Sequence, residues 1–324
     1  MAPRSTRDKA PVRGRALALA LALALVLTAS FAACSIEKLA LKKVAGMLSG
    51  PSSSDVFSSD NDPDLVADAM PFAIKLYETL LASLPAHDGL RLRTGSLYIM
   101  YANAFVETPA DMTPRRDVER REYLLARAKN LYLRGRDMLF VSLEKRNPRI
   151  RSQLKARDYG AAMAPFGRED LDVLYWAALG WLAAFAVDPF DMDLGQTVPR
   201  TRAMIERIEA LEPGYGRGAL DSFYVGYYGS LPEYLGGDAA KAREHSARAQ
   251  ALAGETDTSY LLALATTVSV KEQNAAEFKE LLERVLAFDP DSSPATRLVN
   301  IINRRKARWL LAHIDDFFIE VDRP

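Results

Sequence analysis

The sequence predicts an all-α protein built from helical hairpins, and three observations carry that reading. From residue 63 onward, apolar residues recur three and four positions apart, the spacing that puts them on one face of a helix. Proline and glycine interrupt this pattern at short intervals, where helices stop and the chain turns. No stretch convincingly alternates apolar and polar residues with the period of two that a half-buried strand needs. About ten helices follow, over residues 63–83, 89–106, 115–145, 170–187, 199–211, 218–231, 238–253, 258–271, 275–288 and 295–312. Most are joined by short turns, so consecutive helices are expected to pack antiparallel.

The N-terminus carries a different signal. A basic stretch through Arg15 precedes an Ala/Leu-rich apolar run from Ala16, and small residues then lead to Cys34. This is the order of a signal peptide: basic segment, apolar segment, processing site. The segment Ser30-Phe31-Ala32-Ala33-Cys34 resembles a bacterial lipobox, with Phe31 where an aliphatic residue is usual. Residues 1–33 are therefore read as a lipoprotein signal peptide, and Cys34 as the lipid attachment site. The alternative is a free cysteine in a signal anchor. Each buried methylene of an acyl chain contributes roughly 0.8 kcal/mol, so several chains on one cysteine anchor durably. Ser35, rather than aspartate, after the cysteine favours the outer membrane. Cys34 is also the single cysteine of the 324-residue chain, which excludes an intramolecular disulfide. Without the first 33 residues the chain holds 37 basic and 41 acidic residues, and this balance argues against a nucleic-acid partner.

Residues 34–64 read as a lipidated tether, with a short amphipathic helix over 35–48 and a Ser/Asp/Gly/Pro-rich stretch after it, flexible or wrapped on the body. The string Asp60-Asn61-Asp62-Pro63-Asp64 starts like a calcium loop, but Leu65 stands where glycine is needed and Pro71 where glutamate is needed. The better reading makes Asp62 the cap of a helix whose first residue is Pro63.

Residues 65–324 form the helical domain. Several hairpins end alike, in Ile208-Glu209-Ala210-Leu211-Glu212-Pro213, Leu286-Ala287-Phe288-Asp289-Pro290 and Ala251-Leu252-Ala253-Gly254. These resemble closing turns of tetratricopeptide repeats, and Trp176, Leu179, Gly180 and Ala183 supply a first-helix pattern. Phe278 stands where the repeat wants alanine, so the repeats are degenerate. The expected architecture is tetratricopeptide-like hairpins stacked into a solenoid or superhelical bundle; a generic helical bundle is the alternative.

A search for chemistry finds little. His87, His245 and His313 lie far apart and in no ligand spacing, so no metal or other cofactor is expected, nor an enzyme. Gly214-Tyr215-Gly216-Arg217-Gly218 resembles a nucleotide-binding loop but follows a helix, and it is read as a helix-to-helix turn. Arg304-Arg305-Lys306 with Arg308 is read as a solvated helix face, with an acidic partner or lipid headgroups as the alternative. Aromatic stripes are more informative: Tyr98, Tyr101 and Phe105; Trp176 and Trp181; Tyr224, Tyr227 and Tyr228. They read either as core or as the lining of a ligand cavity or partner groove between hairpins.

Several runs resemble the T component family of tripartite ATP-independent periplasmic (TRAP) transporters, lipoproteins of cryptic tetratricopeptide repeats. They include DVFSSDNDPDLVADAMPFAIKLYETLL from Asp55, SLYIMYANAFVETPAD from Ser96, RAKNLYLRGRDML from Arg127 and VLYWAALGWLAAF from Val173. EPGYGRGALDSFYVGYYGSLPEYLGGDAAKAREHSARA from Glu212 and RLVNIINRRKARWLL from Arg297 continue the series. The variable stretches lie at 148–168 and 188–199. The resemblance implies a periplasmic, membrane-tethered accessory that docks a solute-binding protein, relays or sequesters a small ligand, and assembles as a homotrimer. A general scaffold lipoprotein organising envelope assemblies is the alternative.

Overall fold

The protein is described here from a computed structural model covering residues 39–50, 56–253 and 256–319; the signal peptide and Cys34 fall outside these residues. All regular elements among the described residues are helical. The chain divides into two compact units, residues 1–48 and 49–324. In the first, residues 39–48 are helical, overlapping the amphipathic segment expected there.

The second unit opens with the expected cap. Asp62 accepts from the backbone N–H groups of Asp64 at 3.0 Å and Leu65 at 3.1 Å, and helix α1 (Pro63–Ser83) begins with Pro63. The carboxylate thus serves two of the free donors at the helix start, not a metal. Helix α2 (Asp88–Ala102) is capped by His87, passes through a π-turn at Asn103–Glu107 and ends in the short piece Thr108–Asp111. Helix α3 (Val118–Arg146) follows.

The stretch after it contains two short helices absent from the sequence expectation, α4 (Ile150–Lys155) and α5 (Tyr159–Met163). Each buries only two side chains of its own, too few to impose a readable period. Then come α6 (Leu171–Ala186), the single turn α7 (Met192–Gly195) and α8 (Val198–Leu211). The glycine-rich segment at 214–218 is a helix-to-helix turn, with Gly216 and Gly218 at positive φ of 62° and 102°. The remaining helices are α9 (Ala219–Ser230), α10 (Ala239–Ala253) and α11 (Ser259–Leu264), which runs into a second π-turn at Ala265–Ser269. Helices α12 (Ala275–Ala287) and α13 (Arg297–Ala312) complete the chain.

Packing follows chain order for the long helices: α1 on α2, α2 on α3, α3 on α6, α6 on α8, then α9 on α10 and α12 on α13. One continuous core joins Ile99 to Phe318. Glycines set the spacing of its first half. A Cβ placed on Gly135 of α3 would meet the carbonyl oxygen of Gly95 at 2.8 Å and Ile99 Cγ1 at 2.8 Å. One on Gly180 of α6 would meet Ile99 Cδ1 at 2.7 Å. Helices α2, α3 and α6 therefore meet at nearly bare backbone, around Ile99.

The last helix returns to the first. Asn300, fully buried, accepts from the Thr258 N–H at 3.1 Å and donates to the Thr256 carbonyl at 2.9 Å, pinning α13 to the start of α11. Beyond it Arg305 pairs with Asp64 at 2.9 Å, Lys306 with Asp111 at 2.6 Å, and Arg297 donates to the Ser59 carbonyl at 3.1 Å. In an open repeat array each unit touches only its neighbours, so contact between the two ends closes the chain on itself.

Gly135→Ala is expected to destabilise the protein. The helix-propensity gain of about 1 kcal/mol is outweighed by overpacking of roughly 1–3 kcal/mol, because the obstructing atom is a backbone oxygen that cannot rotate away. Gly226→Ala, in α9 with nothing within 4 Å of the new Cβ, should instead gain about 0.5–1 kcal/mol. Thermal unfolding of the two variants should move in opposite directions.

Candidate functional site

The aromatic candidates occupy three separate places, and among the described residues ring contacts join Tyr101 to Phe105 and Tyr228 to Tyr224 and Tyr227. On α2, Tyr98 is buried; its hydroxyl donates to Glu78 Oε1 at 2.6 Å, and the Arg134 guanidinium lies 4.9 Å from its ring. Tyr101 and Phe105 are half-buried with centroids 5.8 Å apart, and Arg127 donates to the Tyr101 hydroxyl at 3.2 Å. On α6, Trp176 and Trp181 part company. Trp176 meets Tyr175 edge-on at 5.7 Å, while Trp181 is buried edge-on against Phe140 at 5.4 Å.

On α9, Tyr224, Tyr227 and Tyr228 are all buried, and what joins two of them comes from another helix. His245 of α10 stacks on Tyr224 at 4.5 Å and on Tyr228 at 5.6 Å, with its Nδ1 2.8 Å from Asp221 Oδ1. Arg248 Nε reaches the same carboxylate oxygen at 3.1 Å. Asp221, Tyr224 and Tyr228 stand at helical spacings of three and four, so the α9 face was readable; its histidine partner, on another helix, was not.

A fourth group brings together residues that sequence reasoning passed over. The extra backbone residue of the π-turn puts Glu107 against Tyr132 of α3, whose hydroxyl donates to Glu107 Oε2. Such turns recur at functional sites. Asn103 Nδ2 lies 3.4 Å from the same oxygen, and Lys306 of α13 is held by Asp111.

The lysine departs from the solvated face read for Arg304-Arg305-Lys306. Its side chain is only 13% exposed, because 306 falls in register with the buried positions Leu298, Ile302 and Leu310, four residues apart. A lysine on the apolar stripe was the available signal. Arg305, paired with Asp64, does lie on the outer face, with 44% of its side chain exposed.

The electrostatics show where this group lies. Burial, then repulsion from Asp111, pushes the Glu107 carboxyl up to about 7, against the pull of Lys306, Tyr132 and Asn103. Burial lowers Lys306, but Asp111 and Glu107 raise it further, and the net direction is upward, so it stays charged. Burial and the nearby Glu107 charge hold the Tyr132 proton well above the usual range. Desolvation is the largest single effect at Glu107 and at Lys306, where the two carboxyl groups outweigh it, yet both side chains keep some accessible surface. This cluster lies where α13 meets the end of α2, with Tyr101 and Phe105 on the same length of chain.

Among the described residues no group of three or more histidine, cysteine or acidic side chains is arranged to hold a metal. No described helix is long and apolar enough to cross a membrane.

Comparison with known proteins places this arrangement. Residues 59–318 match the family described as TRAP transporter T-component. The chain belongs to the TRAP transporter T-component family. It is also 35% identical over 304 residues to an uncharacterized protein of Treponema pallidum (strain Nichols), spanning 89% of this chain and 94% of that one. The T-component match begins in the turn before α1 and ends after α13, so it takes in the aromatic groups and the cluster at Glu107 alike. The family is a transporter accessory, not an enzyme family.

Glu107 gives this site a pH signature. Its folded pKa lies above its usual 4.5, so the stability it contributes is present below 4.5 and lost as pH rises through about 7. Glu107→Gln should leave the melting temperature near that of the wild type at about pH 4.5 and raise it at about pH 8. Parallel melting curves at both pH values would show that Glu107 titrates as an ordinary surface carboxyl.

Proposed function

We propose that the chain is a membrane-tethered periplasmic lipoprotein that serves a TRAP transporter by docking its solute-binding protein and holding a small ligand for transfer. The family match over residues 59–318 carries this reading, since it ties the whole helical body to the transporter system. Lipidation at Cys34 supplies the tether, to the outer membrane by the residue that follows it, and tetratricopeptide-like hairpins supply surfaces suited to protein partners. The enclosed cluster of Glu107, Asp111, Tyr132 and Lys306 supports the ligand part. It offers a fixed positive charge, a carboxyl that releases its proton near neutrality, and aromatic side chains close by on α2. Assembly as a homotrimer completes the proposal.

Gentle detergent extraction of the tagged full-length protein, followed by mass spectrometry, should recover a periplasmic solute-binding protein in stoichiometric amount. Recovery of envelope-assembly proteins alone would favour a general scaffold and remove the transport reading. Separately, Cys34→Ser should abolish acyl labelling and release the protein from membranes; unchanged labelling and partitioning would rule out this anchor.

A further inference from the structure

Trp181 lies among arginines. Arg136 of α3 places its guanidinium carbon 4.9 Å from the Trp181 ring centroid, and Arg200, in the first turn of α8, places its own at 5.7 Å. Arg157, on the turn between α4 and α5, also acts on Arg200. Arg136 is partly neutralised by Asp137 at 2.8 Å. Arg200 has no such relief. The charged groups acting on it are Arg157 and Arg136, both repulsive, while its favourable neighbours are the Trp181 ring and Tyr159, neither of them a carboxylate. Burial lowers its pKa from the ordinary arginine value, and the two arginines lower it further. Trp181, 6% exposed, adds an indole Nε1 donor that is enclosed and has no acceptor.

This combination is costly unless something completes it. A half-buried guanidinium without a counter-charge is unfavourable, and like charges gathered around it make it more so. Guanidinium groups bind carboxylate and phosphate oxygens through paired hydrogen bonds, and the start of a helix favours the same negative charge. We propose that Arg136 and Arg200 over the Trp181 ring, with Arg157 acting on Arg200, form a binding site for a small oxyanion, the carboxylate or phosphate group of a ligand, which supplies the counter-charge Arg200 lacks. The site draws on α3, the α4–α5 turn, α6 and α8, and shares no residue with the cluster at Glu107. It stands on local chemistry and does not depend on the transporter reading.

The test uses the full-length protein in detergent, labelled with 5-fluorotryptophan. The three tryptophans give three fluorine resonances, and Trp181→Phe assigns the relevant one. Inorganic phosphate and acetate are titrated separately against chloride at matched ionic strength. The Trp181 signal should shift saturably with phosphate or acetate and not with chloride; whichever anion works identifies the chemical group. Arg200→Gln should weaken binding by about tenfold or more, the loss expected for one charge-assisted hydrogen bond. Its fold is checked by its melting curve, and Arg157→Gln, on an exposed turn, should also weaken binding if Arg200→Gln does not fold. The bound anion should raise the melting temperature of the wild type but not of Arg200→Gln. No saturable shift, an equal response to chloride, or undiminished binding in both arginine variants would overturn the proposal.

Discussion

The close approach of α2, α3 and α6 at Gly95, Gly135 and Gly180 is the constraint on which the rest of the structure depends. With side chains at these positions the helices would stand farther apart, and Ile99 could not fill the space between them. That spacing brings Tyr132 of α3 to Glu107 at the end of α2, and it sets α3 beside α6 so that Phe140 meets Trp181. Both charged groups described above are consequences of that backbone contact, reached by Tyr132, Arg136 and Phe140, which stand four residues apart on one face of α3.

Closure of the chain is the second determinant. Asn300 and Asn303 fix α13 against the start of α11, and the same helix then carries Lys306 to Asp111. The exposed pair Arg305–Asp64 adds little on its own, whereas Lys306, enclosed with two carboxyl groups nearby, cannot be moved without leaving charge unpaired. The cluster at Glu107 therefore exists only in the closed chain, since Lys306 comes from α13 and Asp111 and Glu107 from the end of α2.

Local signals in the sequence were dependable where a single residue dictates geometry. Asp62 before Pro63 marks the start of α1, and the expected span 63–83 coincides with the helix observed. Glycine at 216 and 218 marks the turn before α9. The short helices α4, α5 and α7 escaped because each shows too few apolar positions for a period to register. Neither π-turn was legible either, since one added residue leaves the spacing of buried positions almost unchanged. The aromatic candidates were found as individual residues, but their chemistry lies in partners from distant segments: His245 for Tyr224 and Tyr228, Arg136 and Arg200 for Trp181. Lys306 is the instructive miss, a cation in the register of an apolar stripe that was read with its neighbours as an outward-facing charge run.

The helical body is thus a frame that presents two unlike charged groups, one of mixed sign at Glu107, Asp111 and Lys306 and one of positive sign around Trp181. Its membership of the T-component family gives that frame a setting in transport. The most direct test of this account is solute uptake by cells in which only this chain has been deleted, with the solute-binding and membrane subunits of the transporter confirmed at normal levels. The account predicts that uptake falls and is restored by the wild-type chain. Undiminished uptake with all other subunits in place would contradict it.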